Sequence, residues 1–327
     1  MVQIHPGAPK KPTYKLIMNF SEIILIVLGL TLFEVISSID NAVVNADVLS
    51  TMSKRARHWF LFYGIIIAVF LVRGFMPLLI IYFSSPGLNL VQSFWATFSS
   101  DQSVIKIIEK QTPILLAGGG MYLVYLFFYW LFLETKEYAF FLEKYIHHRL
   151  SFWFYAVASV ILLTVVWVTI KINPFIALGA VVGSTAFFIT NGFKKNAEEK
   201  EKELTTGHLS DISKILYLEV IDTTFSIDGV LGAFAFTVSI PLILLGNGLG
   251  AVVVRYFTVH GIKTVKKYRY LKNGAMYSIG VLGAIMLAES LQAHIPSWFS
   301  PVITFIVVGV FLWLSKKELQ AKKMLVQ

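Results

Sequence analysis

Cysteine is absent from all 327 residues, which excludes disulfides, thiolate metal sites and a cysteine nucleophile. Charge is scarce: Asp, Glu, Lys and Arg make up 14% of the chain, where soluble domains carry about a quarter. So little charge cannot cover a water-facing surface. Histidine is missing from the interiors of the apolar runs. His5, His58, His147, His148, His208, His260 and His294 all fall between the runs or at their ends, so an imidazole zinc site within a membrane is not expected. The first fifteen residues lack a short apolar core followed by a small-residue cleavage site, and read as an exposed polar tail rather than a cleaved signal peptide.

What fills the chain instead is hydrocarbon: 56% hydrophobic residues, 15% aromatic with 27 Phe, and a mean hydropathy of +0.71. This is the composition of an all-α, polytopic membrane protein whose main partner is the lipid bilayer. The net charge of +9 then belongs to loops on one membrane face and does not indicate nucleic acid.

A crossing needs about 20 apolar residues, and nine segments qualify: 17–48, 59–83, 112–134, 152–170, 174–193, 211–237, 240–259, 273–292 and 298–315. The fifth, starting at Pro174 and rich in small residues, also has the composition of a re-entrant segment. Twenty of the 28 Lys and Arg fall on the odd-numbered connections and the C-terminal tail, and only six on the N-terminal tail and even connections. By the positive-inside rule this predicts N-out and C-in, multi-pass in a bacterial inner (plasma) membrane. The mixed-charge stretch Lys194 to Glu203 reads as a solvated cytoplasmic linker.

Three pairs of segments repeat in order. Glu34-Val-Ile-Ser-Ser38-Ile-Asp40-Asn41 parallels Asp222-Thr-Thr-Phe-Ser226-Ile-Asp228-Gly229; Gly64 to Arg73 parallels Gly246 to Arg255; Gly120-Met121-Tyr122 with Glu134 parallels Ala275-Met276-Tyr277 with Glu289. The offset falls from 188 to 182 to 155, as it should if the first half has longer loops. Matching spans are five apart, an odd number, so the two three-helix units are expected in opposite orientation. Inverted repeats are common in secondary transporters, whose substrate site lies near the midplane. The predicted organisation is a tail at 1–16, a first repeat at 17–134, connecting helices and linker at 135–210, a second repeat at 211–292, and a last helix with a basic tail at 293–327.

A charge in the bilayer core costs at least about 2.5–3.5 kcal/mol on insertion scales, so such groups are rare and usually functional. This chain keeps Glu34, Asp40, Glu134, Asp222, Asp228 and Glu289, with Arg73 and Arg255, inside or at the edges of apolar runs. Glu34, Ser38 and Asn41 share one helical face, as do Asp222 and Ser226. Asp40 and Asp228 follow the first acid of each motif by six residues and point about 120° away on a regular helix. Bringing both acids to one site requires the helix to unwind near Ser-Ile-Asp. Four carboxylates with Ser and Asn oxygens would then form an all-oxygen site suited to Mg, Ca or Mn. The expected ligands are Glu34, Ser38, Asp40, Asn41, Asp222, Ser226 and Asp228; Arg73, Arg255, Glu134 and Glu289 are expected as ion-pair or gate residues. The alternative is that the arginines simply pair with the acids and hold the helices together. Met121 and Met276 beside glycines are expected to pack, and Gly246, Gly248 and Gly250 to allow close helix approach.

The two acidic motifs, with Asp40-Asn-Ala-Val-Val-Asn-Ala-Asp47 and Ser226-Ile-Asp-Gly-Val-Leu-Gly-Ala-Phe-Ala235, resemble the TerC family of integral membrane proteins, and more closely its TerC-like branch of unknown function. The common second motif of that family reads Asp-Ser-Ile-Pro, where this chain has Asp228-Gly-Val-Leu. The resemblance implies kinship with the lysine-exporter superfamily, places Glu34, Asp40, Asn41, Asp222 and Asp228 at the family's acidic positions, and points to manganese export or tellurium resistance. The function expected is a divalent-cation exporter, manganese first, working by alternating access with protons as the coupling ion. It would be no enzyme and hold no prosthetic group. The rival expectation is a non-transporting membrane scaffold in stress resistance.

Overall fold

Apolar runs of about 20 residues between charged connections suit the helix, which satisfies the backbone's polar groups within each run even in lipid. The computed structural model describes residues 19–67, 102–134, 138–139, 141–146, 152–206, 210–258 and 267–325, with isolated positions between 74 and 91. Among them there are helices and no strands: α1 Phe20–Ser37, α2 Ile39–Ser50, α3 Lys54–Ile66, α4 Gln102–Phe132, α5 Trp153–Thr169, α6 Pro174–Thr206, α7 Asp211–Ala233, α8 Ile240–Tyr256, α9 Leu271–Ser290 and α10 Phe299–Leu325, with a 3₁₀ turn at Leu142–Lys144. Polar residues mark the starts. The Glu22 carboxylate accepts the Asn19 backbone N–H at 3.1 Å ahead of α1, the Ser53 hydroxyl accepts from Ala56 N–H at 3.3 Å in α3, and Ser210 accepts from Ser213 N–H at 3.2 Å in α7.

Among the described residues, five helices are long and apolar enough to cross a membrane: Phe20–Ser37, Lys110–Phe132, Pro174–Asn196, Leu271–Ser290 and Phe299–Ala321. Trp153–Thr169 and Ile240–Tyr256 are shorter apolar helices. The nine expected crossings are therefore met only in part. The first segment is two helices joined at Ser38, whose ψ of 4° interrupts the regular run. The sixth carries Lys214, Glu219, Asp222 and Asp228 within one helix, more charge than an apolar span holds. The segment at 59–83 runs on beyond the described residues. The fifth, by contrast, is one continuous helix, and its small residues have a packing use. A Cβ on Gly179 would lie 2.5 Å from the carbonyl oxygen of Ile114, and one on Gly118 would lie 3.0 Å from that of Gly179, the close backbone approach that small-xxx-small spacing permits.

The core lies where α4, α6 and α9 meet. Trp130, Tyr122, Tyr125, Phe154 and Phe187 are fully buried there, with Tyr125 edge-on to Phe187 at 5.6 Å. Met121 and Met276 pack into the same cluster. The opposite faces of α5 and α6 present Val160, Leu163, Trp167, Leu178, Val182 and Ile189 outward, the apolar exterior a lipid environment requires. Helices α4 and α9 run antiparallel: a Cβ on Gly120 would meet the Gly283 oxygen at 3.0 Å, while Glu134 at the far end of α4 pairs with Lys272 at the start of α9.

Candidate functional site

The two acidic motifs meet. Helices α1 and α2 cross α7 in the opposite direction, so the start of one motif faces the end of the other. Glu34 is fully buried, and a Cβ on Gly229 would lie 2.8 Å from its Oε2. Seven residues on, the Asn41 side-chain amide donates to Asp222 Oδ1. In the numbering of the repeat, Glu34 corresponds to Asp222 and Asn41 to Gly229, so these two contacts are equivalents of one another.

Glycine makes room for the acid on both neighbours. A Cβ on Gly250 of α8 would stand 2.5 Å from Glu34 Cβ and 2.9 Å from the Thr31 oxygen, which is why α8 needs its glycines. Ser38, at the break between α1 and α2, donates its hydroxyl to Glu34 Oε1 at 2.9 Å. The second motif differs. Ser226 donates to the Asp222 backbone oxygen at 2.5 Å, the ordinary i−4 bond of a helical serine, and α7 continues through Ser-Ile-Asp without unwinding.

That continuity separates the acids of α7. Asp222 faces α2 and α8: beside the Asn41 bond, its Oδ2 takes the Arg255 guanidinium at 3.1 Å. Arg255 also stacks 4.2 Å from the centroid of the Phe60 ring and donates to the Phe60 carbonyl at 3.4 Å. Asp228 faces α4 and α6. Tyr122 donates its hydroxyl to Oδ1 at 2.5 Å, and Lys194 pairs with Oδ2. The Tyr122 oxygen is also 2.9 Å from the Thr190 hydroxyl. Asp222 and Asp228 thus occupy two environments, each with its own basic side chain. Asp40 lies in α2 with its side chain outside the described residues, as is all of Arg73. Among the described residues, no group of three or more His, Cys, Asp or Glu is placed to hold a metal.

The remaining candidates sit elsewhere. Glu134 pairs with Lys272, and Glu289 is partly buried in the last turn of α9. Lys194, expected in a solvated linker, is instead in α6 and buried at 8% exposure. Thr190 and Lys194, at i and i+4 on the end of an apolar run, were the available signal. A second polar knot also escaped the sequence reading. Glu143, in the connection after α4, is buried and receives both the Asn273 amide and the Tyr277 hydroxyl. Tyr122 and Tyr277 are the repeated tyrosines beside Met121 and Met276, and in each copy it is the tyrosine that donates to a buried carboxylate while the methionine packs.

Several buried amides keep polar atoms without a hydrogen-bond partner among the described residues: Asn41 Oδ1, Asn45 Oδ1 and both side-chain atoms of Asn247. Such atoms are uncommon in a packed interior, and all three residues lie on helices that meet at the crossing of the motifs.

A curated relative, the "Uncharacterized membrane protein YceF" of Bacillus subtilis, is 24% identical over 111 residues. The match covers 33% of this chain and 43% of the relative, less than half of that protein's length. No solved structure matches the chain. With several apolar helices and a membrane-protein relative, the chain is an integral membrane protein. A family model described as "Protein of unknown function (DUF475)" matches residues 39–321, and the chain belongs to that family.

Proposed function

We propose that this protein is a divalent-cation transporter of the inner membrane, with manganese the first candidate and export the direction, working by alternating access between two inverted three-helix repeats. One observation carries the proposal: the two acidic motifs, far apart in the chain, cross at equivalent points, with Glu34 against Gly229 and Asn41 bonded to Asp222. Antiparallel crossing of α1 and α2 with α7, and of α4 with α9, supports the inverted relationship. Buried carboxylates at such a crossing are the usual site of substrate and coupling-ion binding in transporters of this architecture.

Glu34, with Ser38 on one of its oxygens, and Asn41 with Asp222 supply hard oxygen donors of the kind manganese, magnesium and calcium take. Asp228 and Ser226 lie further along α7, and Asp40 belongs to the same motif. In the state described, Arg255 neutralises Asp222 and so acts as a gate residue: cation arrival at Asp222 requires the guanidinium to turn away. The resemblance to TerC proteins supports manganese over the other hard cations. No catalytic step and no prosthetic group is part of the proposal.

A second reading has an observation of its own. Asp222 with Arg255 and Asp228 with Lys194 are the pairs expected of a non-transporting scaffold whose charges hold helices together. Flux separates the two. Purified protein reconstituted in vesicles is expected to move Mn(II) down its gradient, and Asp222→Asn is expected to abolish that flux while the protein still inserts. Absence of flux of any divalent cation in the unaltered protein would leave the scaffold.

A further inference from the structure

Both oxygens of the Asp228 carboxylate are already occupied. Tyr122 donates to one and Lys194 pairs with the other. Each oxygen keeps a further lone pair, but a divalent ion drawn to this carboxylate meets the like charge of the ammonium, and the two cations compete for it. Of the two partners, Tyr122 is the fixed one. It is fully buried, set edge-on to Phe187 at 5.8 Å and held a second time by Thr190 at 2.9 Å. Lys194 is the movable one. Its ammonium rides on a four-carbon stem with freely rotating bonds, and the next two residues, Lys195 and Asn196, are exposed. These two residues close the apolar run that begins at Pro174.

A buried Lys–Asp pair brings little net stability compared with an apolar pair of the same size, because both charges lose their hydration. Removing one partner alone is strongly destabilising. Such a pair is therefore well suited to exchange: the carboxylate is held safely by one cation until another takes its place.

We propose that Lys194 is a specificity-determining residue of a cation position at Asp228, six residues along α7 from the Asp222 crossing, a tethered ammonium that occupies Asp228 when no metal is there and that a divalent ion must displace in order to bind there. This rests on the transport function proposed above and adds what sets its affinity and selectivity. A monovalent ion brings no more charge than the ammonium it would replace, so the exchange favours divalent ions. Because Lys194 is on α6, Tyr122 on α4 and Asp228 on α7, displacement also removes a bond between α6 and α7. Occupancy is thereby coupled to the separation of two helices, the differential contact a ligand needs to shift a conformational equilibrium.

The test uses the full chain in lipid nanodiscs, titrated with Mn(II) at fixed pH. Lys194→Gln is expected to bind Mn(II) at least about tenfold more tightly than the unaltered protein, a free-energy gain of about 1.4 kcal/mol, whereas Lys194→Arg, which keeps the charge, is expected to gain nothing. A merely structural lysine predicts weaker or unchanged binding in Lys194→Gln, and that result overturns the exchange. A measurement on the unaltered protein covers the case in which the variant does not insert. Acylation of Lys194 by a water-soluble amine reagent, read by mass spectrometry, is expected to rise several-fold with saturating Mn(II) and not with sodium. Unchanged protection of Lys194 under saturating Mn(II), in protein whose vesicles do transport the ion, overturns the exchange and leaves transport intact. If neither the unaltered protein nor Lys194→Gln binds Mn(II), Mg(II) or Ca(II), transport is excluded and the exchange with it.

Discussion

Asn41 donates its side-chain amide to Asp222 across 181 positions of sequence, and Arg255 closes on the other oxygen of the same carboxylate at 3.1 Å. Asp222 is therefore held from α2 on one side and from α8 on the other, in a setting only 4% exposed. The same carboxylate is the corresponding residue of Glu34 in the other motif, which sits one crossing away against Gly229. Stability and the proposed cation binding are consequently tested at the same few atoms.

Arg255→Met should leave Asp222 buried without its cation, a change that typically destabilises by about 3–5 kcal/mol. Thermal unfolding of the protein in detergent is expected to show this as a large fall in Tm. Adding Asp222→Asn to Arg255→Met should recover most of the loss, since the pair then leaves no uncompensated charge. Failure of the double variant to recover would mean that stacking of the guanidinium on Phe60 matters more than the charge.

Gly250→Ala puts a methyl group 2.5 Å from Glu34 Cβ. The backbone of α1 and α8 cannot absorb that without moving, and overpacking of this kind costs about 1–3 kcal/mol. Gly309→Ala is the matched control, because nothing lies within 4 Å of its Cβ position. In an exposed helix interior that exchange should stabilise by up to about 1 kcal/mol. Equal melting temperatures for the two variants would contradict the tight approach of α1 to α8.

Glu143 anchors the connection after α4 onto α9 through Asn273 and Tyr277. Glu143→Ala removes two hydrogen bonds to a charged acceptor, each worth about 1.5–3 kcal/mol. Local opening should rise by at least about tenfold, one decade for each 1.4 kcal/mol. Limited trypsin digestion reads this at Lys144, the exposed residue next to it, whose cleavage is expected to accelerate while Lys194 stays protected.

Proton coupling is open to a direct check. If protons neutralise the carboxylates on the return step, Mn(II) flux in vesicles should accelerate when an opposing pH gradient is imposed and slow when it is collapsed. Flux indifferent to that gradient would exclude protons as the coupling ion, without bearing on transport itself.

Several features of this fold are written plainly in residue order. Runs such as Phe20 to Ser37 and Leu271 to Ser290 announce helices of membrane length, and acids inside them mark where something unusual must happen. The break at Ser38 was legible too, because Glu34 and Asp40 stand six residues apart, a spacing a regular helix cannot bring to one face. The same spacing in the second motif led to a wrong expectation. Helix α7 does not unwind, because Asp222 and Asp228 each find a partner on different sides, and nothing then forces them together. Lys194 was misplaced for a similar reason: it heads a charge run, and charge runs ordinarily face water, but its stem lets it reach back along α6 to Asp228. Glu143 carried no periodic signal at all, being one of two acids, with Glu137, in the connection between the runs 112–134 and 152–170.

Local order along the chain settled what each segment is: apolar length, helix starts, the positions of the rare charges and the two copies of the motif. Those properties arise from neighbours within a few turns. Which charge meets which could be decided only by packing, since α2 and α4 lie far from α7 in the chain, and α6 and α8, its neighbours in sequence, meet it only by folding back against it. The pairing of Asp222 with Asn41 and Arg255, and of Asp228 with Tyr122 and Lys194, depends on how closely glycine-lined helices approach and at what angle they cross.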